Sequence, residues 1–146
     1  MGLAMTLSTT SNATVEFGGA RARAHYRHLA TVLTVRGRID ATNVDQISEY
    51  ARRFLLAKEP LVLDLSGVES FAAAGIWLLC VLDGDCQAAG VEWTLVESAA
   101  VHDLLRTFDE EAKFPTSPSV DMALHTLAVG LDRRRELLLP LIKKTA

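Results

Sequence analysis

Cysteine is scarce in this chain, with two among 146 residues, Cys80 and Cys86. They fall six positions apart on a stretch that reads as a helix, which turns them to different faces. Neither an internal disulfide nor a metal clip is expected, and both are read as reduced thiols of a cytoplasmic protein. Long apolar runs are missing as well. The longest unbroken one is Ile76 to Leu82, far short of the ~20 residues that cross a bilayer. The opening MGLAMTLSTTSNAT has no basic region and no sustained apolar region, so no secretory leader is expected. Positive charge is not in excess. The formal net charge is −3, and no basic stripe with interleaved aromatics occurs, which argues against a nucleic-acid binder. No internal repeat is visible.

What is present is a globular composition, 49% apolar and 23% charged, in a length that suits one domain with one core. Residues 1–14 are mostly small and polar and read as a loose arm. Residues 15–131 carry the alternating patterns of a folded domain, and residues 132–146 form a charged and apolar extension.

The chain is organised around Leu61 to Gly90, LVLDLSGVESFAAAGIWLLCVLDGDCQAAG. Leu61, Val62, Leu63 and Leu65 follow Pro60 as a short apolar run, the pattern of a strand covered on both faces. Ser66 and Gly67 are expected to end it. Ala72, Ala73, Ala74 and Gly75 then make a turn with almost no side chains, and Ile76 to Leu82 begin a helix that Gly90 would close. Gly84 between Asp83 and Asp85 weakens its second half. A strand end facing a helix N-terminus offers free N–H groups, and small residues let another molecule approach the backbone. This turn is therefore the candidate site.

Around it, Val15 to Phe17 is expected to add an edge strand, and Arg21 to Tyr26 with Thr31 to Val35 an antiparallel hairpin. Gly37 permits a bulge before Arg38, Ile39 and Asp40. Thr42 would start an amphipathic helix carrying Val44, Ile47, Ala51, Phe54 and Leu55. Val91 to Val96 reads as a strand. Ser98 would cap a helix with Val101, Leu104, Leu105 and Phe108. A short strand near Lys113 and Phe114 is expected, and a last helix bearing Val120, Ala123, Leu124, Leu127, Ala128 and Leu131 would open at Ser117-Pro118. The order implies an α/β fold, a mixed sheet with crossover helices packed on it.

Four stretches resemble the STAS domain of bacterial anti-sigma factor antagonists. They are RGRIDATN (Arg36 to Asn43), LVLDLSGV (Leu61 to Val68), FAAAGI (Phe71 to Ile76) and AAGVEWTLV (Ala88 to Val96). The likeness spans roughly residues 20–130. It implies a protein that binds an anti-sigma factor, often a kinase-type one, and so frees a sigma factor; phosphorylation of a loop serine reverses the binding. The chain departs from that pattern where the switch lies. The family's aspartate falls on Ala72 and its phosphorylated serine on Ala73, while Gly75 keeps the glycine. Alanine has no oxygen to accept phosphate, and Ser70 cannot take its place. The resemblance thus implies a docking module that the usual phosphate does not switch, with Asp40, Ala41, Thr42 and Asn43 plus Ser70, Phe71, Ala72, Ala73, Ala74, Gly75 and Ile76 as its contact surface. No cofactor and no metal are implied.

Other residues carry plainer readings. Asp64, on a strand, is expected to pair with a backbone or basic group near the sheet end. No second acid, histidine or nucleophile is placed with it, and no enzyme motif occurs. His25 and His28 on one strand would point to opposite faces. His102 and His125 read as surface or boundary residues, and Trp77 and Trp93 as core. An exposed Trp77 beside the loop would instead mark an interface anchor. The tail from Leu137 to Ile142, broken by Pro140, has three uses open to it: packing on the domain, a homodimer contact, or holding a partner. A membrane-surface role suits it less. Two rival functions stay open, a sensor holding a nucleotide or other anion at the helix start near Ala73, and a scaffold that self-associates.

Overall fold

A computed structural model describes residues 13–130. Strands β1 (Val15–Phe17), β2 (Ala20–Arg27) and β3 (Ala30–Ile39) form an antiparallel meander, as the alternation predicts. From β3 onward the chain crosses over through helices, and β4 (Leu61–Phe71), β5 (Trp93–Val96) and β6 (Thr116–Ser117) add in parallel. The strands lie in the sheet in the order in which they occur in the chain. The three crossovers carry helices α1 (Val44–Phe54), α2 (Ala74–Ala89) and α3 (Ala99–Thr107). A fourth helix, α4, opens at residue 120 and is described to residue 130. The expectations for residues 1–12 and for the extension, including the Leu137 to Ile142 tail, fall outside the described residues.

The sheet has two unequal faces. Ala22 and Ala24 of β2, Leu33 and Val35 of β3, Leu61, Leu63 and Leu65 of β4 and Leu95 of β5 point to the side where α1, α2 and α3 pack. Each fully buried leucine contributes about 1.5–3 kcal/mol relative to exposure. The alanines of β2 leave room for Tyr50, whose ring stands 5.5 Å from Phe17 and 5.2 Å from Phe54. On the other side, Ala30, Val32, Val62 and Val96 form a smaller core with Ala123, Leu124 and Leu127 of α4. β4 is therefore covered on both faces, as its unbroken apolar run requires.

Several boundaries differ from the sequence reading. β4 does not stop at Ser66 and Gly67 but runs on to Phe71. Its pairing with β5 ends at Asp64 and Val96, whereas β3 continues to pair through Ile39 and Phe71. The register slips between Thr34 and Arg36 and again between Gly37 and Arg38. Gly37 has φ +97°, and a Cβ there would meet the Gly19 carbonyl oxygen at 2.4 Å, so the bulge needs a glycine. Helix α2 is unbroken across Asp83 to Asp85, because its acids find partners: Asp83 accepts from the Trp93 indole at 2.9 Å and Asp85 from Arg52 at 3.1 Å. Gly90 closes it with φ +70°, as expected.

Helix α1 begins at Val44 and not at Thr42, because Thr42 is held in the preceding turn. β5 begins at Trp93. Phe114 belongs to the core and not to a strand, and the pairing falls on Thr116 and Ser117. That commits Ser117 to the sheet, so Ser119 caps α4 instead, accepting the Met122 N–H at 3.1 Å. Ser98 caps α3 as expected, accepting the Val101 N–H at 3.2 Å. His28 lies in the hairpin turn with φ +49° and not on the strand.

Candidate partner-binding site

β3 and β4 are parallel, so the segments that follow them leave the sheet at the same end. The Ala72 N–H donates to the Ile39 carbonyl at 2.9 Å and fastens the two turns together. The sequence placed Asp40 to Asn43 and Ser70 to Ile76 in one surface, and the fold brings the two segments side by side. Such a rim, at the carboxyl ends of parallel strands, is where open α/β sheets engage other molecules.

The turn into α1 is built by side chains. Asp40 Oδ1 accepts from the Thr42 N–H at 2.9 Å and from the Thr42 hydroxyl. The Asp40 carbonyl accepts from the N–H groups of Asn43 and Val44 at 3.2 and 3.1 Å. Asn43 is buried. Its Oδ1 accepts the Asp40 N–H at 3.0 Å, while its amide donates to the carbonyls of Phe17 at 2.9 Å and Arg38 at 2.8 Å. Asn43 is thus a clasp and not a contact residue; Ala41 and Thr42 are the exposed members of this turn. The Thr42 hydroxyl and amide hold the Asp40 carboxyl below its ordinary 3.8, with weaker help from the Arg38 guanidinium against an opposing desolvation. Arg38 Nε stands 3.4 Å from Asp40 Oδ2.

The turn into α2 has no such ties. Ala73 sits at the cap position with φ −55° and no side-chain hydrogen bond. Ala73 is exposed, Ala72, Ala74 and Ile76 are half-buried, and Ser70 faces out. Phe71 and Gly75 are buried against each other. A Cβ on Gly75 would lie 2.3 Å from the Phe71 ring, so this glycine serves internal packing. The expected row of free N–H groups is largely spoken for: Gly75 donates to Ala72 at 2.8 Å and Ile76 to Ala73 at 3.0 Å, besides the bond from Ala72 to Ile39. That weakens the case for anion capture at this point.

Trp77 corrects the sequence reading. The sequence reads it as core along with Trp93, yet Trp93 is 6% exposed and Trp77 48%, so Trp77 takes the exposed alternative. The buried residues of α2 are Gly75, Leu78, Leu79, Leu82 and Cys86, a stripe at helical spacing. Trp77, Cys80 and Gly84 lie off it on the outer side, below Ala73, and none of these four carries a charge. In an unbroken apolar run the helical period is hidden, which is why the sequence reads Trp77 as core first and as an exposed residue beside the loop second. The stripe anchored on Leu78, Leu79 and Leu82 was the signal that could have found it. Cys86, by contrast, is sealed in the core, and burial pushes its thiol up to about 12.

Asp64 does pair with backbone, as expected. Its Oδ1 accepts the Ser66 N–H at 3.0 Å and the Ser66 hydroxyl at 2.6 Å.

The STAS domain family model matches residues 21–123. The chain belongs to this family. The STAS domain here is 55% identical over 139 residues to osmosensory protein A of Mycobacterium tuberculosis (strain ATCC 25618 / H37Rv), an alignment covering 92% of this chain and 88% of that protein. In three dimensions it is similar to an anti-sigma factor antagonist from Mycobacterium paratuberculosis, with TM-score 0.63 and 21% identity over 73% of this chain and 92% of the other. A putative anti-sigma factor antagonist from Thermotoga maritima matches with TM-score 0.64 and 15% identity, over 72% of this chain and 92% of the other. At such identities these two structures speak for the fold of the STAS domain. No helix among the described residues is long and apolar enough to cross a membrane.

Proposed function

We propose that this STAS domain is a non-enzymatic regulator of the anti-sigma factor antagonist type, which grips an anti-sigma factor and so acts on sigma-factor-dependent transcription in the cytoplasm. The observation that carries the reading is the pairing of an exposed Ala73 at the start of α2 with a half-exposed Trp77 one turn on, along a helix face without charge. A large aromatic presented beside open backbone is the kind of anchor that dominates protein interfaces. The contact surface is Ala41 and Thr42 with Ser70, Ala72, Ala73, Ala74, Ile76 and Trp77. Asp40, Asn43, Phe71 and Gly75 shape it from beneath. The partner is of the kinase type, but Ala73 offers it no hydroxyl, so the grip is not released by phosphate there. The name of the mycobacterial relative supports an osmotic input to the same module.

The test is calorimetry between the full chain and purified anti-sigma factors of the same cell. Ala73→Asp puts a charge where the family carries phosphate; a weakening of at least about tenfold, roughly 1.4 kcal/mol, is expected from burying it without a partner. A folded Ala73→Asp variant that binds like the wild type would remove the site. Phosphate mapped between Ser66 and Gly75 after incubation with the partner and ATP would overturn the unswitched reading.

A further inference from the structure

The second face of the sheet holds a feature that partner docking does not use. α4 covers Ala30, Val32, Val62 and Val96 and leaves the neighbouring part of β2 and β3 open. There a cavity of about 480 Å³ is lined by Arg23, His25 and Arg27 of β2, Thr34 and Arg36 of β3, and Asp64 of β4. The period of two explains the company. Ala20, Ala22 and Ala24 take the core side of β2, so the residues between them must share the opposite side. Arg21 stands at the same rim.

The charges there are not balanced internally. Arg21 pairs with Glu16 and Arg27 with Asp121, each at 3.2 Å and each with a well-exposed acid. Arg23 and Arg36 have no ion-pair partner among the described residues. The stem of Arg36 lies flat over Gly67, where a Cβ would meet its Cγ at 2.7 Å, so the missing side chain lets the arginine extend along the sheet. Asp64 is the one acid in the lining, and one of its oxygens is already engaged by Ser66. His25 Nδ1 is buried with no hydrogen-bond partner among the described residues. Burial first, then Arg23 and Arg27, keep the ring's proton affinity low, against a pull from Asp64.

This concentration of arginine sits on a chain of net charge −3. By sequence, the segments outside the described residues carry more positive than negative charge. They carry Asp132 and Glu136 against Arg133, Arg134, Arg135, Lys143 and Lys144. No Phe, Tyr or Trp lines the cavity, and its guanidinium forks suit the oxygens of phosphate or sulfate. The volume is that of a small-molecule site.

We propose that this cavity binds a small, multiply charged oxyanion of the polyphosphate or phosphate-ester class, held by Arg23, Arg27 and Arg36, with the hydroxyl of Thr34 and the His25 ring at its floor. The site is separate from the turns at Asp40 and Ala73, and its fate does not depend on theirs.

The test is a titration of the full chain with sodium pyrophosphate at constant ionic strength, read by calorimetry and by amide shifts. Saturable binding is expected, with shifts on β2 and β3. Nucleoside diphosphates should bind through the same arginines, with shifts on the same two strands. The double variant Arg23→Gln/Arg36→Gln loses two charge-assisted contacts, so binding should weaken by about 100-fold or more. Arg106→Gln, half that change of charge and placed on α3, should leave it unaltered. Because Arg23 and Arg36 are exposed and unpaired, the double variant should melt like the wild type. Non-saturating binding, an unaffected double variant, or shifts centred on residues 72–76 would overturn the proposal. So would stronger association with phosphatidylglycerol vesicles or a single-stranded oligonucleotide that pyrophosphate fails to displace.

Discussion

At the rim of the sheet, the turn into α1 and the turn into α2 lie side by side and are built in opposite ways. The first is tied by side chains: Asp40 to Thr42, and Asn43 to Phe17, Arg38 and Asp40. The second has three alanines and no side-chain hydrogen bond at its cap; it holds its shape through backbone bonds and the fit of Gly75 over Phe71. A turn tied by polar side chains leaves few of its groups for a visitor. A turn held from beneath leaves its outer surface bare. The difference teaches why the bare turn, and not the polar one, forms the centre of the proposed contact, with the polar turn as its rigid neighbour.

Four changes bear on that contrast. The largest expected effect is Gly75→Ala, which drives a methyl into the Phe71 ring. Overpacking of this kind costs about 1–3 kcal/mol, and the upper end is expected because the ring is buried. Chemical denaturation reads it; a loss under about 0.5 kcal/mol would mean the second turn is not held from beneath. Next comes Asn43→Ala. It strips two carbonyls and one N–H of a buried partner, for about 2 kcal/mol. An unaltered melt would break the picture of a clasped first turn.

Trp77→Ala separates docking from folding. It should weaken partner binding by about 2 kcal/mol while stability moves by no more than about 0.5 kcal/mol. Equal losses in both would return Trp77 to a core role. The smallest effect concerns acid. Asp40 is held below its ordinary 3.8 in the folded chain, so its contribution is present above that value and fades as pH falls through the depressed one. Asp40→Asn should flatten this acid component in denaturation curves taken across the acid range. A wild-type and variant difference that stays constant with pH would contradict the assignment.

Much of this architecture could be read from residue order. The period of two in Arg21 to Tyr26, the double-sided run at Leu61 and the helical spacing of Val44, Ile47 and Ala51 in α1 and of Val101 and Leu105 in α3 each follow from one local rule and appear in the fold, whereas Phe108 falls beyond the end of α3 and is 51% exposed. What local rules missed was set by neighbours distant in the chain. Ser66 and Gly67 look like a strand end, but β3 goes on pairing there. Ser117 looks like a cap, but Val96 claims it for the sheet. At the rim, the segments were visible and their inner and outer members were not. Whether Asn43 faces out depends on Phe17, and whether Gly75 does depends on a ring four residues back. The arginine cavity needed the register of β2 against β3, which no single stretch contains.

The Asn43 amide reaches the Phe17 carbonyl across 26 positions of chain. One end of that bond belongs to the outermost strand, and the other stands at the foot of the turn beside Ala73. Pulling β1 away from this turn would break the bond and loosen the foot of the proposed docking rim. By linkage, a partner that stiffens the rim also secures the edge strand. The edge strand and the proposed contact surface thus share one buried side chain, Asn43.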